Sequence, residues 1–190
     1  MLRKVLGTIA ALIVIVIAVS VITMMRRGLS ARGEPTLTET LIARSMRRFA
    51  TPSTMQNMKN PIALTDATLA AAREHWADHC AACHGNDGAG QTDIGRSLYP
   101  KAPDMRQAAT QQMTDGELFS IIRNGVRLTG MPAWGGDEAE NWKLVHFVRH
   151  LSKLTPEEIA EMEKQNPKTP AEWQQMQNEA AFLAGKGAQR

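Results

Sequence analysis

The chain has 190 residues, of which 43% are apolar and 22% charged; it reads as one ordinary globular domain with accessories, neither disordered nor long enough for two full-sized domains. Two cysteines exclude a disulfide scaffold, an all-thiolate zinc site and a four-thiolate iron–sulfur cluster. The net charge of +3 is uneven: residues 1–60 hold nine Lys/Arg against two acids, 61–154 nine against eleven and 155–190 four against six, so the globular part lacks the basic surface of a nucleic-acid binder.

From Val5 to Met25 there are 21 residues without a charge. As a helix they span about 31 Å, enough to cross a hydrocarbon core of about 30 Å. The apolar region of a signal peptide is usually about 7–15 residues. The longer run favours a retained anchor over residues 1–27, although Ala18-Val19-Ser20 resembles a cleavage site. Arg3, Lys4 and the amino terminus balance Arg26, Arg27 and Arg32, so flanking charge does not orient the segment.

Residues 28–60 read as a linker. Gly28 to Pro35 is polar; Thr36-Leu37-Thr38-Glu39 then has capping-box spacing, followed by Leu41, Ile42, Met46 and Phe49 at helical intervals. Arg44, Arg47 and Arg48 make this a basic amphipathic helix. Two placements stay open for it: on anionic lipid, or packed on the domain as a spacer. Pro52 and Pro61 bracket an expected irregular stretch.

Three helices follow. The first starts at Thr65 or Asp66 and carries Leu69, Ala72, Trp76, Cys80 and Cys83 as one stripe. Thr114 and Glu117 cap the second, which turns Leu118, Ile121 and Ile122 inward and stops at Gly125. Asp137 with Glu140 caps the third, bearing Trp142, Leu144, Val145, Val148 and Leu151. A Gly- and Pro-rich loop joins the first two, and no alternating run is long enough for a sheet. In the tail, Thr155-Pro156-Glu157-Glu158 and Thr169-Pro170-Ala171-Glu172 each place a cap, a first-turn proline and a glutamate. The second predicts a helix with Trp173, Met176, Ala180 and Leu183 on one face, stopping at Gly185.

Cys80-Ala81-Ala82-Cys83-His84 is the C-x-x-C-H pattern of covalent c-type haem attachment. Thiols about one helical turn apart can add to the two vinyl groups on one porphyrin edge, and the histidine then swings beneath the ring to the iron. Its other nitrogen is expected to donate to a carbonyl, that of Pro103 or Pro100. Three readings compete: a thioredoxin-like redox pair, which lacks its βαβ setting; a zinc site, which lacks further placed ligands; and a strained disulfide, which leaves His84 unused.

The segment from about Pro61 to Leu154 resembles a class I c-type cytochrome. Gly85-Asn86-Asp87-Gly88-Ala89-Gly90 matches the family's Gly-rich turn, and Ile121-Ile122-Arg123-Asn124-Gly125 its late helix ending in glycine. Thr129-Gly130-Met131-Pro132-Ala133-Trp134 matches the Met-Pro distal loop, and Trp142 through Phe147 to Leu151 the final helix. One departure is Ala72, where the family commonly has glycine at the helix crossing; the extra methyl either parts the helices or is absorbed by a smaller neighbour.

The resemblance implies an all-α fold: a cytochrome c-like helical domain over 61–154 wrapped around one covalent haem, between the transmembrane helix of 1–27 and a helical tail over 155–190. The haem c is expected on Cys80 and Cys83. His84 is one iron ligand, and Met131, on a proline-stiffened loop forty-seven residues later, the other; a thioether raises the reduction potential. Rivals to Met131 are His146 and His150, four apart on the last helix. His75 and His79 read as solvated, Met105 and Met113 as packing positions. Asp104, Arg106, Arg123 and Arg127 are candidates to pair with the propionates.

Iron ligated on both faces implies outer-sphere transfer of single electrons rather than catalysis. The expected protein is a membrane-tethered carrier, or the cytochrome subunit of a larger oxidoreductase, serving respiratory or dehydrogenase redox partners. It is expected in the inner membrane with the haem domain on the periplasmic side. The alternative is a haem enzyme or gas sensor with a labile Met131. Haem also explains how only 5% aromatic residues suffice for a core.

Overall fold

The computed structural model describes residues 2–28, 30–31 and 33–183, and these are all-helical with no strand. The first helix, α1 (Leu2–Arg27), is long and apolar enough to cross a membrane, and none of its core-length window is buried by the rest of the protein. The Gly185 stop lies outside the described residues, as does Arg32.

Helix α2 (Leu37–Ala50) starts at the Thr36 capping box, where Glu39 reaches back to the Thr36 N–H at 2.7 Å. It buries none of its residues. The stretch between Pro52 and Pro61 is not wholly irregular: Pro52 opens a one-turn helix, α3 (Ser53–Gln56). That turn is held from outside, because the Thr114 hydroxyl donates to the Gln56 carbonyl at 2.7 Å.

The first domain helix divides into three parts. Helix α4 (Asp66–His75) is capped by Thr65 with Thr68, Trp76–Cys80 forms a π-helical turn, and α5 (Ala81–His84) closes the run. The sequence stripe treated this as one uniform helix. The wider turn shifts the phase, so that Ala72, Trp76, Ala77 and Ala81 all remain buried. Two short helices lie in the Gly- and Pro-rich loop, α6 (Asp93–Ser97) and α7 (Ala108–Gln111).

Helix α8 (Asp115–Asn124) has the Thr114–Glu117 capping box and ends at Gly125. Helix α9 (Glu138–His150) is capped by Asp137, which accepts from the Ala139 N–H at 2.7 Å. Glu140 does not complete that cap; it turns instead to Lys143 and His75. Helix α9 crosses α4 and packs beside α8. The core between them holds Trp76, Phe119, Trp142, Phe147, Leu144 and Val145, with Phe119 and Trp142 stacked at 4.1 Å between centroids and 8° between planes. Ala72, fully buried at this crossing, is accommodated. Met105 and Met113 pack partly buried against the same core.

A 3₁₀ turn at Leu151–Lys153 leads to α10 (Pro156–Gln165). This helix packs on α4 and the π-helical turn, with Met162 fully buried and Arg73 bridging to Glu158 and Glu161. Helix α11 (Pro170–Leu183) begins at the Thr169–Glu172 reciprocal cap and leaves Trp173 and Met176 exposed.

Candidate functional site

Cys80, Cys83 and His84 fall on the last two helical turns before Gly85, and both thiols are free. A second strand of chain clamps this turn. The Thr92 hydroxyl donates to the carbonyls of Ala82 and Cys83 at 2.8 and 3.1 Å, and the Gly90 N–H donates to the His84 carbonyl at 2.7 Å. The approach is close enough that a Cβ on Gly95 would stand 2.2 Å from the Cys83 carbonyl, well inside contact distance. Trp76 supports the turn from the core, its indole N–H donating to the Gly85 carbonyl at 3.0 Å with its ring 5.7 Å from that of His84.

Burial, with Cys83 adding a smaller effect, pushes the Cys80 thiol up to about 12. A thiol held protonated is a poor nucleophile for redox exchange, which counts against the thioredoxin-like reading. Among the described residues no cluster of three or more His, Cys, Asp or Glu is placed to hold a metal ion. Burial lowers the His84 pKa, favouring the neutral imidazole that can ligate a metal.

His84 Nδ1 is buried and has no hydrogen-bond partner. The anticipated bond to the Pro103 or Pro100 carbonyl is not formed. Residues 102–105 are tied to the loop instead: Ala102 N–H donates to the Gly95 carbonyl and Met105 N–H to the Gly88 carbonyl, and the Ala102 and Pro103 carbonyls lie close against Gly90. A sealed polar atom left without a partner costs about 1–3 kcal/mol. Two cysteines about one helical turn apart, followed directly by a neutral imidazole, are a donor set that fits haem c.

Met131 sits half-buried on a loop folded back over the end of α8. Val126 N–H donates to the Met131 carbonyl at 3.1 Å, Met131 N–H to the Thr129 hydroxyl at 3.1 Å, and Trp134 N–H to the Ile122 carbonyl at 3.2 Å. The loop reaches the haem-binding side at two points. Gly130 abuts Leu98, where an added Cβ would lie 2.5 Å from Cδ2, and Trp134 meets His79 edge-on at 5.5 Å.

The rival histidines are engaged elsewhere. His146 Nε2 lies 2.8 Å from the Ile62 carbonyl and His150 Nε2 3.0 Å from Glu158. His79 is exposed beside Asp78, while His75 is half-buried and faces Glu140 at 3.7 Å. Of the four propionate candidates, Arg106 is forked onto Asp104 and also reaches Asp87 at 3.1 Å. Arg123 pairs with Glu138 at 2.5 Å, and Arg127 is exposed on the loop after α8. Sequence reading missed Thr92 and Trp76 as supports of the turn. Thr92-Asp93 did carry a cap signal, hidden among the glycines of that loop.

Residues 67–148, a little under half of the chain, match the family model described as cytochrome c oxidase, cbb3-type, subunit III. No curated protein matches the chain. The matched span runs from the start of α4 nearly to the end of α9 and contains every part of the site. The match supports reading the helical domain around Cys80, Cys83 and His84 as a class I c-type cytochrome domain, a module of haem-based electron transfer.

Proposed function

We propose that the chain is a membrane-tethered monohaem cytochrome that carries single electrons between respiratory or dehydrogenase partners. Helix α1 is its inner-membrane anchor, and the haem domain stands on the periplasmic side. Cys80 and Cys83 would hold the haem covalently, and His84 and Met131 would supply the ligands to its iron. When bound, haem c supplies one-electron cycling between ferric and ferrous iron. The residues supply the rest: neutral His84 donates a nitrogen lone pair, and the soft Met131 thioether favours the reduced state and raises the potential. The Thr92, Gly90 and Trp76 contacts hold the turn still, and the Val126 and Trp134 bonds hold the Met131 loop, which limits rearrangement during transfer.

The observation that carries this reading is the placement of Cys80, Cys83 and His84 on successive helical turns inside the span that matches the cytochrome family model. Replacing Met131 by Ala in the haem-loaded protein tests it. The thioether-to-ferric-iron charge-transfer band is expected to vanish, the potential to fall, and the reduced protein to bind carbon monoxide. If the band survives, Met131 is not the ligand. Rapid, complete carbon monoxide binding by the unsubstituted protein at neutral pH would instead support the enzyme or sensor reading.

A further inference from the structure

Helix α2 has its polar side, not its apolar side, turned to the domain. Glu39 bonds the Tyr99 hydroxyl, and half-buried Arg47 lies within electrostatic reach of Glu117 on α8. Just before the helix, Glu34 pairs with Lys101, and at its end the Gln56 amide donates to the Arg48 and Thr51 carbonyls at 2.9 and 2.7 Å. On a 3.6-residue wheel, Glu39, Thr40 and Arg47 share one half-circumference, and Leu37, Leu41, Ile42, Met46 and Phe49 share the other. That second half faces away from the protein: Leu37 is 83% exposed, Met46 65% and Phe49 94%. A soluble spacer helix would bury this face, so the spacer placement leaves it unexplained.

From the apolar side, the position along the chain and the charge, we infer that α2 lies in the headgroup–acyl boundary of an anionic leaflet, the bilayer that α1 crosses. The inference rests on the membrane anchoring proposed above. Residues 28–36 separate α1 from α2, a link of at most about 32 Å when fully extended, so α2 cannot leave the neighbourhood of the bilayer. On the same wheel exposed Arg44 borders the apolar arc and exposed Arg48 lies within it, between Leu37 and Leu41; their long stems can snorkel so that the cations meet anionic headgroups while the apolar side chains sink about 5–10 Å. With its polar face fixed to the domain near Tyr99 and α8, the helix sets the orientation of the haem domain above the membrane as well as its distance.

The test uses the full haem-loaded chain in vesicles of mixed phosphatidylcholine and phosphatidylglycerol. With Cys80 and Cys83 taken up as thioethers, a single introduced cysteine carries a spin label. Labels at Leu41→Cys and Phe49→Cys should show a several-fold higher ratio of oxygen to aqueous nickel-complex accessibility than a label at Ala43→Cys. Equal ratios on the two faces overturn the inference. Shielding of Leu41→Cys and Phe49→Cys from both reagents also overturns it, since it reports burial against a second copy or another protein. In pure phosphatidylcholine the difference between faces should shrink several-fold; an undiminished difference overturns the assignment to anionic headgroups. A label at Val14→Cys on α1 separates the two readings. If it is open to the aqueous reagent, the anchor itself fails; if it is embedded while Phe49→Cys stays aqueous, the placement of α2 alone fails.

Discussion

Gly125 offers the sharpest test of how the Met131 loop is held. It ends α8 at φ 65° and ψ −168°, a region tolerated almost solely by glycine and costing other residues about 1–3 kcal/mol. A methyl there would stand 2.6 Å from Ala133 N and Pro132 C and 2.7 Å from the Met131 carbonyl oxygen, about 0.8 Å inside the 3.4 Å where ordinary contact begins. All three are backbone atoms, so the loop itself must move. The bonds across that gap, Val126 N–H to Met131 and Trp134 N–H to Ile122, contribute about 1 kcal/mol each. Gly125→Ala should therefore destabilise the haem-loaded protein by roughly 3–5 kcal/mol, lowering its Tm by roughly 12 °C or more. It should also weaken the thioether band. Gly135→Ala is the control: φ there is also positive at 50°, but an added Cβ meets nothing within 4 Å, so the cost is only about 1–2 kcal/mol and the band stays. A Gly125→Ala protein with near-normal Tm and an intact band would refute the steric reasoning. A lowered Tm with the band intact would show that this junction does not position an iron ligand.

Three further outcomes are expected. Ala72→Gly should lower stability by about 1 kcal/mol through helix propensity; a gain in Tm would mean that the buried methyl is strained at the α4–α9 crossing. Met162→Ala should cost about 2–5 kcal/mol, because the side chain is fully buried against the core; a change within error would mean that α10 is not fastened to the domain in solution. The Arg106 guanidinium, followed by burial acting the other way and by the Gln107 amide, holds the Asp104 carboxyl well below the usual carboxylate range. A depressed folded value gives stability that is full above the unfolded value near 3.9 and is lost as pH falls through the folded one. Asp104→Asn should thus lower neutral-pH stability by about 1 kcal/mol and converge with the unsubstituted protein in strong acid. A parallel offset at every pH would refute it.

Whatever a short run of residues can decide alone was legible in the sequence. The caps at Thr36, Thr114 and Thr155 each form with a glutamate three residues on, because that hydrogen bonding is closed within one turn. The Cys80–His84 turn was legible as a candidate for the same reason: the pattern lies in five consecutive residues. Helices α3, α6 and α7 were not, since four or five residues carry no readable period. Helices α3 and α7 have distant partners: Gln56 O accepts from Thr114, and the Gln111 carbonyl accepts from Arg149 at 2.6 Å. The same limit hid the true surroundings of His84. Locally, Pro103 was a reasonable acceptor; only the packing of residues 102–105 against Gly90 and Gly95 shows how that stretch is held.

Two kinds of construction meet at the site. On one side, Trp76, Phe119, Trp142 and Phe147 join α4, α8 and α9 into an apolar core that excludes water. On the other, the turn after Cys83 and the Met131 loop are held mainly by single hydrogen bonds and by contacts that leave no room for a side chain. Packing of the first kind survives small perturbations through many weak contacts; the second fails when one atom is added. An electron carrier benefits from this arrangement. The Met131 loop packs little of the core, so the environment of Met131 can change without unfolding the helices beneath it. That separation is why Gly125→Ala and Met162→Ala are expected to act differently, the first on stability and the band together, the second on stability alone.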